Sequence, residues 1–149
     1  METVHATAIA SSSAAVLLRG PSGSGKSDLA LRCLLLGAID GAPFQLVADD
    51  RVIVEVSTGA LLARAPAVLR GLLEVRGVGL QRFPCVDQAR VALIVDLVAP
   101  AQVERLPEAA LETLLGVRVP RLDLAPFEAS APLKVLLALR DACRGGAGP

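Results

Sequence analysis

The sequence predicts a single α/β domain in which helices pack on a sheet of short apolar strands. Three observations predict it. The first is a complete G-x-x-x-x-G-K-[ST] run, Gly20-Pro-Ser-Gly-Ser-Gly-Lys-Ser27, lying between a strand-like and a helix-like segment. The second is a series of four- to eight-residue apolar runs separated by glycine, proline and serine. The third is a length of 149 residues, which fits one core of ordinary size.

Val4 to Ile9 and Ala14 to Leu18 read as two strands joined by a serine-rich turn, the second running straight into the glycine-rich segment. Ser27 to Leu36, rich in leucine, reads as a largely buried helix that Gly37 would end. Phe44 to Ala48 is a short buried-strand run. Arg51 to Val56 alternates as a strand and turns at Thr58 and Gly59 into Ala60 to Arg64. Leu72 to Val75 and Val91 to Val98 are further strands, with an irregular loop expected between Gly77 and Pro84. Pro107 to Leu115 has helical spacing at Ala110, Leu111, Leu114 and Leu115, and Val117 to Leu124 reads as a last strand. Pro132 to Cys143 is the closing helix, so the domain is expected over residues 1 to 143 with a disordered tail over 144 to 149.

Composition narrows the function. Apolar residues make up 53% and aromatics 2%, so the core must be aliphatic and there is little on which to stack a nucleic-acid strand. Fifteen basic residues balance fifteen acidic ones, so no global field draws the chain to nucleic acid or to an anionic membrane. The N-terminus lacks the basic start of an export signal, and no apolar run approaches membrane-spanning length. Cys33, Cys85 and Cys143 have no paired spacing, which suits free thiols in a reducing cytoplasm.

The glycine-rich run has a definite chemistry. Its glycines allow successive backbone N–H groups to converge on phosphate oxygens, with the positive end of the following helix behind them. Gly20, Pro21, Ser22, Gly23, Ser24, Gly25, Lys26 and Ser27 are therefore the expected ATP-phosphate site, with Lys26 on the β and γ phosphates and the Ser27 hydroxyl on Mg2+. Lysine at that position is not incidental, since the chain has only Lys26 and Lys134 against thirteen arginines. Leu46-Val-Ala-Asp-Asp50 then has the form of a strand ending in metal-side acids. With two adjacent acids, one can turn to the metal or phosphate while the other accepts a proton from an incoming hydroxyl. The competing reading is a solvated pair at a turn. Glu74 within Leu72-Leu-Glu-Val-Arg-Gly77 is a candidate magnesium ligand, although the pattern alone suits a solvent-facing or Arg76-paired strand residue better. His5, a lone strand histidine, reads from the pattern alone as structural.

Taken together, the Gly20 to Ser27 loop, Val47-Ala-Asp-Asp-Arg-Val52 and Leu73-Glu-Val-Arg-Gly-Val-Gly-Leu80 resemble, in order and spacing, the catalytic half of HPr kinase/phosphorylase. The resemblance implies a mixed sheet with flanking helices of the HPr kinase/phosphoenolpyruvate carboxykinase-like type. It implies a cytoplasmic ATP- and Mg2+-dependent kinase acting on a serine of HPr, the phosphocarrier of the phosphotransferase system, and a homohexamer. By matching motif, Asp50 takes the place of the proton-accepting aspartate, and Glu74, with Asp49 and Ser27, falls on the magnesium side. His5 and Arg105 take the places of an active-site histidine and arginine. Two departures bear on the reverse, phosphorolytic reaction: the segment from Gly79 to Val91 is shorter than in longer members, and Ala125 to Lys134 contains only one basic residue. A small-molecule or nucleotide kinase and a non-catalytic ATP sensor are the alternative readings.

Overall fold

The computed structural model describes residues 1–36 and 44–146. In chain order the elements are β1 (Glu2–Ser11), β2 (Ala14–Arg19), α1 (Lys26–Leu34), β3 (Phe44–Ala48), β4 (Arg51–Ser57) and β5 (Ala60–Arg64). They continue with β6 (Leu72–Val75), β7 (Gly79–Arg82), β8 (Ala89–Leu97), β9 (Ala110–Leu114), β10 (Val117–Leu124) and α2 (Ala131–Gly146).

The strand that feeds the glycine-rich loop sits at the middle of a mixed sheet. β2 pairs antiparallel with β1 on one edge and parallel with β8 on the other, and β8 runs parallel to β10, which carries β9 on its outer edge. The far edge of β1 is shared: its first half pairs with β4 and its second half with β3. β4 and β5 form a hairpin whose second strand returns to β8 at Ala89 and Arg90, so β1, β4, β5, β8 and β2 close on themselves. β6 and β7 form a separate hairpin, and Cys85 just beyond it bridges to Leu46 of β3.

Strand alternation sorts the apolar side chains into two cores. Ile9, Val16, Leu18 and Val95 pack against Leu29 of α1 and Val135 of α2, while Ala8, Leu17 and Ile94 pack against Val52, Val54 and Leu61 of the curled β4–β5 layer. Because both faces of the central strands are covered, Ala14 to Leu18 and Val91 to Val95 are continuous apolar runs rather than alternating ones. Alanines at positions 6, 8 and 10 of β1 leave room for the second layer to approach. Cys33 lies in the first core, where burial pushes its thiol up to about 12, so it behaves as a small hydrophobe; all three cysteines are free.

The structure corrects four expectations. Pro107 to Leu115 is not a helix: residues 104–109 form no regular element, and Ala110–Leu114 is the edge strand β9. The reason is the turn that follows, since Leu115 at φ 50 and Gly116 at φ 80 make a two-residue loop whose twist joins antiparallel strands. The segment after Gly77 is not wholly irregular, because Gly79–Arg82 pairs with β6. α1 stops at Leu34 with Leu35 as its C-cap, two residues short of the expected end, and Gly37 lies outside the described residues. α2 continues past Cys143 to Gly146, so residues 144–146 of the expected tail are helical, and 147–149 lie outside the described residues. Among the described residues no helix is long and apolar enough to cross a membrane.

One polar network ties the sheet together just ahead of the loop. Arg19 at the end of β2 makes a two-point contact with Asp96 of β8, at 2.7 and 2.9 Å, and also reaches Glu112 of β9, while Arg121 of β10 binds the same Asp96. Burial alone would push the Asp96 carboxyl up, but hydrogen bonds and charge from Arg19 and Arg121 outweigh it and hold the group below the usual aspartate range. A carboxyl depressed in the folded state adds stability above its unfolded pKa and loses it as the pH falls through the folded value. The wild-type chain should therefore lose stability below about pH 4, and Asp96→Asn should be less stable at neutral pH with a shallower acid dependence in urea melts. At the β4–β5 turn, Thr58 is an exposed β-branched residue at φ 48. Thr58→Asn should raise stability by about 1 kcal/mol, because asparagine tolerates the left-handed region at lower cost.

Candidate active site

β2 delivers the chain directly into the Gly20–Ser27 loop, and α1 starts at Lys26. Gly25 caps that helix at φ 99, and a Cβ there would come within 2.9 Å of the Phe127 ring. Both its backbone conformation and its close neighbour exclude a side chain. The first-turn amides of α1 have no intrahelical acceptor and carry the positive end of the helix dipole, which is the chemistry of an anion site. Lys26 is 6% exposed, and its Nζ donates to the carbonyl oxygens of Gly20 at 2.8 Å and Pro21 at 3.3 Å, folding the lysine across its own loop.

The two aspartates follow β3 and are turned apart by a tight bend. Asp50 has φ 65, and the Arg51 N–H donates to the Asp49 carbonyl across it at 2.7 Å, a three-residue turn. A non-glycine residue in this region is uncommon, and aspartate is among those that tolerate it. Asp49 points inward: its Oδ1 accepts from Ser27 Oγ at 2.6 Å and Thr7 Oγ1 at 3.0 Å, and its Oδ2 accepts from the Glu74 backbone N–H at 3.0 Å. Asp50 points to the surface, where its Oδ1 lies 2.6 Å from His5 Nε2 and its side chain stays 60% exposed. The pairing of β1 with β4 puts His5 opposite Arg51, which is why a residue 45 positions earlier meets the aspartate.

These groups face a cleft of about 440 Å3. Ser22, Gly23, Gly25, Lys26 and Ser27 form its loop wall; Asp49, Asp50 and Glu74 bring the acids. Gly20, Pro21 and Ser24 line no part of it. Arg105 is exposed on the segment between Gln102 and β9 and does not border the cleft, and His5 reaches it only through Asp50. Ser27, Asp49 and Glu74 supply oxygen donors, the set that magnesium prefers. Among the described residues no three His, Cys, Asp or Glu side chains gather as a metal cluster.

Three residues of the site escaped the sequence reading. Thr7 is fully buried, donates to Asp49 and accepts the Asp50 N–H at 3.3 Å, so one hydroxyl fixes both aspartates. Its only signal was a polar residue in the run His5-Ala-Thr-Ala-Ile9. Arg76, read only as a partner for Glu74, lines the cleft, and Phe127 does so from the segment after β10 with no local signal. Thr7→Val keeps the shape of the side chain and removes both bonds. It should lower stability by about 1 to 2 kcal/mol and weaken magnesium-nucleotide binding, read by urea unfolding and calorimetry; an unchanged variant would show that the hydroxyl does not hold the aspartates.

Comparison with known proteins identifies the family and the fold. The family model described as the HPr Serine kinase C-terminal domain matches residues 1–138. An HPr kinase/phosphorylase of Leptothrix cholodnii is 39% identical over 135 residues, and one of Caldicellulosiruptor bescii is 34% identical over 132. Those alignments take in 82% and 80% of this chain but only 39% and 40% of the relatives, so the chain spans about two fifths of their length. A solved structure, the Hpr(Ser) kinase/phosphatase from Coxiella burnetii, superposes with a TM-score of 0.84 at 26% identity, covering 99% of this chain and 100% of that one. The expected α/β fold with its mixed sheet is therefore the observed one, and the chain belongs to the HPr serine kinase C-terminal domain family.

Proposed function

We propose that this domain is an ATP-dependent protein-serine kinase acting on a serine of HPr or an HPr-like phosphocarrier. The observation that carries the reading is the division of labour between adjacent acids beside a phosphate loop: Asp49 is engaged with Ser27, while Asp50 is presented to solvent on the rim of the same cleft. The names of the relatives support the carrier as substrate, since they are HPr kinase/phosphorylases.

In this reading the ATP phosphates lie along Gly20 to Ser27, and Lys26 exchanges its two carbonyl contacts for the β and γ phosphate oxygens. Ser27, Glu74 and Asp49 would hold Mg2+, which would supply positive charge to offset that of the phosphates. Asp50 accepts the proton of the carrier's serine hydroxyl as the serine oxygen bonds to the γ phosphorus and the bond to the ADP oxygen breaks. His5 holds the Asp50 carboxylate in place. Arg76 supplies positive charge from the cleft wall, and Arg105 joins it only if its exposed segment folds over the cleft. By microscopic reversibility the protonated Asp50 would serve as the acid in phosphorolysis. A cytoplasmic location and a hexameric assembly complete the proposal by family likeness, with no part for nucleic acid or membrane.

The test is to incubate the chain with magnesium-ATP and an HPr-like carrier and locate added phosphate by mass spectrometry. A phosphoserine on the carrier is expected. Asp50→Asn should bind ATP as the wild type does and transfer phosphate about 100- to 10,000-fold more slowly; normal transfer by that variant would remove Asp50 from the role.

A further inference from the structure

The acids of the cleft are held from β1 and β6, and Arg19 fixes the chain just ahead of Gly20. The far end of the phosphate loop, at Gly25, is supported from elsewhere. Its φ of 99 is a conformation that glycine enters and leaves easily, and with no side chain the residue has nothing of its own to pack. Two neighbours press on it instead. A Cβ built at Gly25 would meet the Phe127 ring at 2.9 Å and Pro126 Cβ at 3.3 Å.

Phe127 needs holding as well. It belongs to the segment between β10 and α2 and is 69% exposed, so its place against a glycine depends on how that backbone is fixed. The hold comes from α1. The Arg32 guanidinium donates through Nη1 to the Glu128 carbonyl oxygen at 3.2 Å and through Nη2 to the Pro126 carbonyl oxygen, so it grips the residues on either side of Phe127. Its Nε donates to Asp28 Oδ2 at 3.0 Å, one turn earlier on the same helix, which aims the planar group at the segment.

As an exposed pair four residues apart, Asp28 and Arg32 would be worth little. The two carbonyl contacts change that. Three separate acceptors are met by three N–H directions of one rigid fork, an arrangement that an ammonium group cannot reproduce. Gly25 caps the helix that carries Arg32, so the helix, the segment and the ring form a closed circuit of contacts around the end of the loop. A site made of backbone amides binds an anion best when those amides need not be ordered on its arrival.

We infer that Arg32 is a positioning residue for phosphate binding: by holding Pro126 and Glu128 it keeps the Phe127 ring against Gly25, and so keeps the loop amides in the arrangement that receives the donor's phosphates. The inference rests on the phosphate-donor reading above and adds to it a residue outside the cleft lining.

Calorimetry with magnesium-ATP and with magnesium-triphosphate tests it on the wild-type chain, Arg32→Met, Arg32→Lys, Phe127→Ala and the Arg32→Met, Phe127→Ala double variant, with urea melts recording stability. Arg32→Met and Phe127→Ala should each weaken both ligands by the same factor, about tenfold, the scale on which contacting residues couple. Adding Arg32→Met to Phe127→Ala should cost no further affinity, because the arginine acts through the ring, and Arg32→Lys should fall between Arg32→Met and wild type. Normal affinity in Phe127→Ala, additive losses in the double variant, or a loss confined to ATP would overturn the inference. So would a drop in the urea stability of Arg32→Met with both affinities unchanged, which would leave the arginine a structural tie alone. Should Arg32→Met not fold, Phe127→Ala decides the matter, by equal loss of both ligands or by normal affinity. A wild-type chain that binds neither ligand would instead remove the phosphate-donor reading, and the inference with it.

Discussion

The carboxylate of Asp49 is the constraint on which the site depends. It receives hydrogen bonds from a serine on α1, a threonine on β1 and a backbone amide on β6, so three elements distant in sequence are held at one point. An acceptor with this many donors is fixed in direction, and fixing it also fixes Ser27 at the start of the helix. Asp50 cannot follow the same course. The tight turn with φ 65 swings it out, and Thr7 and His5 then hold its backbone and its side chain from β1. Two identical neighbouring residues thus meet different surroundings, through the turn between them and through the partners each one finds.

The sheet explains why the arrangement is rigid where it must be. The strand leading into the phosphate loop is flanked on both edges and covered on both faces, by helices on one side and by the β4–β5 layer on the other. Arg19, the last residue of that strand, is clamped by acids from β8 and β9 immediately before Gly20. The loop therefore begins from a fixed end. Its lysine is held by two carbonyl oxygens of its own loop, contacts that the proposed mechanism has it exchange for phosphate oxygens.

Features encoded within a few residues were legible in the sequence; those made by distant partners were not. The phosphate loop could be read because its motif and its flanking strand and helix are contiguous. The aspartate pair could be located, but the opposite directions of its two side chains depend on a positive φ at Asp50 that no pattern announces. Ala110, Leu111, Leu114 and Leu115 have helical spacing, yet Gly116 and the pairing with β10 make them an edge strand, so tertiary contacts overrode local periodicity. Thr7 was hidden as one polar residue in a strand, and Phe127 as one aromatic in a loop. Arg105 was placed by family likeness alone, and it is not among the residues that line the cleft.

A crystal structure of the chain with Mg2+ and a non-hydrolysable ATP analogue tests the central claim most directly. The account predicts the β and γ phosphates over the amides of residues 22 to 27, Lys26 Nζ moved from the Gly20 and Pro21 carbonyls onto them, and Asp49 still bound to Ser27 with Asp50 facing open solvent beyond the γ phosphate. An analogue bound elsewhere, or a lysine still folded onto its own loop with both aspartates turned to the metal, would contradict it.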